Sequence, residues 1–266
     1  MTDYPITAIV LAGQRAGVVN PLATRAGVSH KCLVPICGKP LIAHVLQALA
    51  NASNISEIVI SVEDDARDGL APVIAAFQRA DLPIRCTSAA AGIVGSVFAA
   101  AEGRDGPFLV TTADNVMLDA GAIDTIRAEL AQADAVFALA TDRAVLAAHP
   151  EGQRNFYRFK DASYANCNIY GLADRAALRA AEIFREGGQF QANPGRMIRA
   201  FGLGNILLMR FGLITLPAAL KRVSRKLGFT LRAAQFTDGA LAIDVDNERT
   251  YAICEILLAR RETTDQ

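Results

Sequence analysis

Hydrophobic and polar positions along this chain alternate between two periods. Ile6–Leu11 is an unbroken apolar run, the pattern of a strand covered on both faces of a sheet. Over Pro40–Ala52 the spacing becomes helical, with Leu41, Val45, Leu46 and Leu49 on one face and Pro40 suited to a first turn. The same exchange then repeats. Strands are predicted at Glu57–Val62, Ile84–Thr87, Pro107–Thr111 and Ala135–Ala140, and helices at Leu70–Ala80, Ile93–Glu102 and Asp119–Ala131, the last capped by Asp119. Such β-α alternation implies a three-layer α/β/α arrangement around a mainly parallel, mixed sheet.

Beyond residue 145 the pattern is less regular. Asn155–Phe159 and Asn168–Leu172 read as strands and Asp174–Arg185 as a capped helix, while Gly187–Gly204 reads as loop with short helix. Pro217–Leu227 is predicted helical, Phe229–Phe236 extended, Ala240–Val245 a strand and Asn247–Arg261 a closing helix. No repeat or linker divides the chain, so 1–266 is expected to form one domain with halves at 1–145 and 146–266.

Composition changes this picture in four places. A hydrophobic fraction of 52% with 20% charged residues supplies a sizeable core and argues against disorder. Acids and bases balance at 27 each, which gives no reason to expect a nucleic-acid partner. Locally the balance fails, because 187–237 holds no acid but contains Arg196, Arg199, Arg210, Lys221, Arg222, Arg225, Lys226 and Arg232. The five cysteines are scattered without ligand spacing, and the N-terminus lacks the features of a signal peptide. Both point to the cytoplasm. The apolar stripe 203–216, flanked by Arg and Lys, reads as core, with peripheral contact to an anionic membrane as the lesser alternative.

The candidate chemistry starts where the first strand ends. Leu11-Ala12-Gly13-Gln14-Arg15 leads to His30-Lys31-Cys32-Leu33-Val34-Pro35 and then to Gly38-Lys39-Pro40-Leu41. Small residues after a strand allow backbone N–H groups to approach phosphate, and Arg15 and Lys31 add positive charge. Neither a Walker pattern nor GxGxxG is present. LAGxR followed by HKxLxPxxGKPL resembles the MobA-like NTP transferases, nucleotidyltransferases of the GT-A fold. The family's usual second glycine is Gln14 here.

That resemblance implies Mg²⁺ as cofactor, with an NTP and a phosphorylated small-molecule acceptor as partners. It assigns residues 1–145 to the nucleotide and 146–266 to the acceptor. Arg15 and Lys31 become the catalytic cations, and Leu11, Ala12, Gly13 and Gln14 line the triphosphate. Gly95 and Ser96 match the segment that faces base and ribose, and Asn115 joins the nucleotide contacts. Asp114, at the end of the strand Phe108–Thr111, corresponds to the metal aspartate, favoured over a mere turn cap because strand context and family motif agree. Asp244 and Asp246 resemble the family's second carboxylate segment, and as i and i+2 on a strand they would share one face. Asn168 corresponds to an acceptor-contacting Asn, although a buried, backbone-satisfied Asn fits as well. Arg196 and Arg199 are the acceptor-phosphate candidates. His30 could touch phosphate, whereas His44 reads as structural.

The expected reaction is transfer of NMP to a phosphorylated acceptor with release of pyrophosphate, CTP being favoured because the Asp-Val-Asp ending resembles the cytidylyl branches. A non-catalytic nucleotide-binding relative and a GT-A glycosyltransferase are the alternatives. Acceptor identity and oligomeric state are not legible from the sequence.

Overall fold

The computed structural model describes residues 4–14, 20–178 and 211–264, together with Gly204 and Leu208. Its centre is β1 (Ile6–Leu11), paired in parallel with β4 (Ile55–Val62) on one side and β6 (Phe108–Thr112) on the other. β5 (Ile84–Ser88) extends the sheet beyond β4. Beyond β6 lies β9 (Ser163–Leu172), antiparallel both to β6 and to β7 (Ala135–Thr141), and β10 (Leu231–Phe236) follows in parallel with β7. The order is therefore β10-β7-β9-β6-β1-β4-β5, with β8 (Tyr157–Arg158) attached to β9. A separate small hairpin joins β2 (Pro35–Ile36) to β3 (Lys39–Pro40).

Alternate side chains of β1 explain the three layers. Ile6, Ala8 and Val10 enter one buried cluster, with Leu41, Val45 and Leu49 of α2 (Leu41–Asn51) and Ile123 and Ile126 of α5 (Ala120–Leu130). Ile9 enters the cluster on the opposite face, with Val97 and Ala100 of α4 (Gly92–Ala100). An apolar strand buried on both faces leaves only its ends for chemistry. Because β1 has parallel neighbours on both sides, its carboxyl end is a switch point, the place where such sheets bind ligands.

Most of the periodic helices fall near their expected places, with α3 (Arg67–Phe77) starting three residues earlier. Two short helices had no expectation. In α1 (Pro21–Ala26), Asn20 caps the start by accepting from Leu22 N–H at 2.9 Å, and Gly27 closes it in the left-handed region. Thr141 caps α6 (Asp142–Ala148). The segment expected as the strand Ala240–Val245 is instead a 3₁₀ turn at Gly239–Ala242, followed by extended residues outside the sheet. Gly239 packs so closely on α6 that a Cβ would fall 2.2 Å from the Ala144 carbonyl group, which leaves no room for strand pairing there. α7 (Leu216–Leu227) and α8 (Glu248–Thr264) complete the described chain. The helix expected at Asp174–Arg185 and the loop at Gly187–Gly204 lie largely outside the described residues.

Candidate functional site

The site forms at the carboxyl edge of β1 and β6. Ala113 N–H donates to the Leu11 carbonyl at 2.9 Å, carrying the pairing one residue past both strands and fixing where Asp114 begins. Lys31, on a 3₁₀ turn after α1, reaches the same point. Its ammonium donates to Asp114 Oδ2 and to Asp246 Oδ1, the latter at 3.1 Å. Burial works against the Lys31 charge, but the two carboxylates outweigh it and hold its pKa above the ordinary value. Residues far apart in sequence thus share one ion-paired cluster.

Asp244 and Asp246 do not share a face. In the extended segment after the 3₁₀ turn Asp244 turns inward at 8% exposure, while the Asp246 side chain is 67% exposed. Val245 N–H donates to the Asp114 carbonyl at 3.2 Å, binding this segment to the end of β6. Asp244 Oδ2 accepts from Asn168 Nδ2. Burial, then the Asp114 and Asp246 charges, push the Asp244 pKa well above the carboxylate range, opposed by Lys31 and Asn168.

Asn168 reaches Asp244 because β9 bulges. The β7–β9 register shifts between Phe137 and Leu139, and Asn168 has φ +51°. Asn tolerates the left-handed region better than most residues, and a bulge re-aims the side chain it carries. The amide orientation is set from behind. Asn168 Oδ1 accepts from Asn166 Nδ2 at 2.8 Å and from the Tyr170 hydroxyl at 3.3 Å, leaving Nδ2 as the donor to Asp244.

In the described part of the turn after β1, backbone N–H groups are engaged within the protein. Leu11 is paired in the sheet, Ala12 N–H donates to the Ser61 carbonyl at 2.9 Å, and Gln14 N–H donates to Glu63 Oε1 at 3.0 Å. The consecutive free N–H groups that a nest requires are not present over 11–14. Gly13 has a steric role, since a Cβ there would lie 3.1 Å from both Ala89 Cβ and Glu63 Oε1. Glu63 had no expected place in this turn, and His30, a candidate for phosphate contact, turns toward it. His30 is 1% exposed, with Nε2 3.7 Å from Glu63 and 3.4 Å from Asp65, so it faces these acids behind the turn. Only the three-dimensional meeting of β4's end with the 29–31 loop reveals this group.

Two further candidates are tied into the fold. Asn115 is completely buried, and its amide donates to the Cys167 carbonyl at 2.9 Å and to Thr111 Oγ1 at 3.3 Å, bracing β6 on β9. Ser96 lies within α4, where its hydroxyl accepts from Ala90 N–H at 3.1 Å and donates to the Ala90 carbonyl at 3.3 Å. Gly95 beside it lets Ala90 approach, since a Cβ there would meet Ala90 Cβ at 3.2 Å. Both shape the 89–91 loop. His44 accords with its structural reading, its Nε2 lying 3.1 Å from the Ile36 carbonyl. Arg15, Arg196 and Arg199 lie outside the described residues.

Among the described residues no three His, Cys, Asp or Glu side chains converge as a metal cluster. The donor set nevertheless suits Mg²⁺ held jointly with phosphates, because Asp114 Oδ1 and Asp244 Oδ1 are buried oxygens without hydrogen-bond partners. Mg²⁺ characteristically takes one or two carboxylates and completes its shell with water and phosphate.

A mixed sheet sandwiched by helices, with carboxylates and a lysine at its switch point, defines the GT-A-like class of nucleotidyltransferase folds. The chain belongs to the MobA-like NTP transferase domain family, whose model matches residues 8–195. It is similar to a hypothetical transferase from Thermus thermophilus, with 26% identity, a TM-score of 0.73, and coverage of 93% of this chain and 99% of that one. The 4-diphosphocytidyl-2C-methyl-D-erythritol synthase of Anaerococcus prevotii shares the fold at 10% identity and TM-score 0.61, covering 97% and 100%. So does a CMP:2-keto-3-deoxy-manno-octonic acid synthetase solved with CTP, at 14% identity and TM-score 0.60, covering 96% and 99%. No curated protein matches the chain.

Proposed function

We propose that this protein transfers an NMP group from an NTP, with CTP preferred, to a phosphorylated small-molecule acceptor and releases pyrophosphate. The observation that carries this reading is the meeting of Lys31 with Asp114 and Asp246 at the carboxyl edge of β1 and β6, beside buried Asp244. Asp114 and Asp244 would hold Mg²⁺, which when bound neutralises charge on the phosphates. Lys31 is placed to stabilise negative charge that builds on the α-phosphoryl group and leaving pyrophosphate, an electrostatic contribution made by a group already in position. Arg15 is proposed for the same work from the segment after Gln14. No general base is needed, because the attacking phosphate oxygen is anionic at neutral pH. The buried His30, turned toward Glu63 and Asp65, is consistent with that.

The preference for CTP rests on the Asp-Val-Asp segment and on the structural neighbour solved with CTP. All five cysteines are free and no described helix is long and apolar enough to cross a membrane, which supports a cytoplasmic location. The test is thermal unfolding of wild type and Asp114→Asn with CTP, GTP, UTP and ATP, each with and without Mg²⁺. A ligand that binds only the folded state raises its stability. A shift with CTP that needs Mg²⁺ and disappears in Asp114→Asn is expected. No shift with any NTP would sink the proposal and leave the glycosyltransferase alternative to be tried with nucleotide sugars and Mn²⁺.

A further inference from the structure

The apolar stripe ahead of α7 is divided between core and surface. Ile214 and Leu216 are 6% and 2% exposed, and Leu216 shares a buried cluster with Leu139 and Tyr164. Phe211 and Leu213, by contrast, are 67% and 63% exposed. Single apolar side chains on a surface are ordinary, but these two large ones flank Gly212 on one turn. The turn is held from behind. Gly212 takes φ +61°, Leu213 N–H donates to the Leu208 carbonyl at 2.7 Å, and Lys160 N–H donates to the Ile214 carbonyl at 2.9 Å. The backbone is fixed while both side chains stay outward.

The helix that follows carries charge of one sign. Lys221, Arg222 and Arg225 are exposed at helical spacing on one side of α7, while Ala219 and Val223 are buried on the other. No acid occurs from 211 to 237. Asp161, the acid bound to the start of the helix, is committed: Oδ1 accepts from Leu216 N–H at 2.9 Å and Oδ2 from the Tyr164 hydroxyl at 3.0 Å. An apolar tip therefore adjoins a row of cations. An acidic protein would engage the cations and gain little from the tip. A bilayer with anionic headgroups offers both partners, a negative surface above an apolar interior. Tyr164 pairs with Thr141 at the carboxyl end of β7, so the tip lies at the same edge of the sheet as Asp114.

We infer that the 211–213 turn and the outer side of α7 form a docking surface for an anionic phospholipid membrane, with Phe211 and Leu213 entering among the headgroups and the cations resting on lipid phosphates. Docking of this kind brings the edge that carries Lys31 and Asp114 close to the lipid. The inference stands apart from the nucleotidyl-transfer reading, because vesicle binding is read without any nucleotide.

The chain contains no Trp, so Phe211→Trp places a lone indole at the tip. The full-length variant is mixed with vesicles of phosphatidylcholine alone, or with about one part in three of phosphatidylglycerol. With the anionic vesicles its emission should move to shorter wavelength and wild type should sediment; neither should happen with phosphatidylcholine alone. Lys221→Gln, Arg222→Gln and Arg225→Gln together should weaken vesicle binding on the order of a hundredfold, from roughly fivefold for each charge at such a surface. Phe211→Ser with Leu213→Ser should weaken it at least about tenfold. Both sets change exposed side chains only, an unaltered unfolding midpoint checks each fold, and the indole signal decides the matter without them. Failure to bind anionic vesicles overturns the inference. Binding with unchanged indole emission, or with equal strength after the Ser replacements, also overturns it and assigns the cations to an acidic macromolecule instead.

Discussion

Lys31 is the one described cation held directly by two site carboxylates, so its removal separates charge stabilisation from folding. Lys31→Met should abolish nearly all pyrophosphate release while leaving the thermal unfolding midpoint close to wild type; substantial residual turnover would count against its role. Asn168 allows a finer separation, because its backbone conformation and its side chain do different jobs. Asn168→Gly accepts φ +51° but loses the donor to Asp244, so activity should fall about tenfold and stability by about 1–2 kcal/mol. Asn168→Val keeps a side chain that the left-handed region rejects, and should destabilise by a further 1–3 kcal/mol or so in urea titration. Equal stability for the two variants would dismiss the bulge as the reason for an Asn. The sequence exposed Lys31, Asp114 and Asp244 because each sits in a short motif next to a recognisable strand or loop. It could not expose the Glu63 contact to Gln14, which depends on where β4 ends relative to β1, nor the bulge, which is a property of two paired strands.

Among the elements, the edge of the sheet near β5 is secured by charge. Glu57 on β4 accepts from Arg104 at 2.6 and 2.8 Å in a two-pronged pair and lies 3.0 Å from Arg85 on β5. The hydrogen bonds from Arg104, helped by both positive charges, hold the Glu57 carboxyl below its ordinary pKa despite burial. Its stabilising contribution is therefore complete above the unfolded-state value of about 4.3 and is lost as pH falls through the lower folded value. Glu57→Gln should cost about 1 kcal/mol at pH 7, and its deficit should shrink as unfolding is measured toward pH 3. A constant deficit would show that the charge is not the source. On the other side, Gly239→Ala drives a methyl group into the backbone of α6, and a loss of about 3 kcal/mol in chemical denaturation is expected. A near-neutral result would mean that α6 and the 3₁₀ turn can separate freely. That contact also accounts for the turn where the sequence predicts a strand over Ala240–Val245, since apolar residues buried in a turn look the same in sequence. α1 and α6 escaped notice because six and seven residues are too few to establish a helical period. α2 and α5, with eleven each and apolar positions at helical spacing, were legible from the start.

At the scale of the whole molecule, α8 draws the beginning of the chain to its end. Arg25 of α1 contacts Glu248 and lies 4.5 Å from the centre of the Tyr251 ring, and the Tyr251 hydroxyl donates to the Pro35 carbonyl at 2.7 Å. Farther along, Arg261 donates to the Met117 carbonyl at 2.7 Å and to Asp238 at 2.6 Å. The alternating pattern made the layered sheet readable, but these ties join segments without any shared periodicity and left no trace in it. They also give the site a history during translation. Asp244 follows Asp114 by roughly 130 residues, on the order of ten seconds at a ribosomal rate of about 5–20 residues per second. Until then the emerging chain carries Lys31 and Asp114 without the segment that completes their cluster, and its first half cannot yet commit to the arrangement of the finished protein. The segment that carries Asp244 and Asp246 thus completes the site only after its other two members have been made.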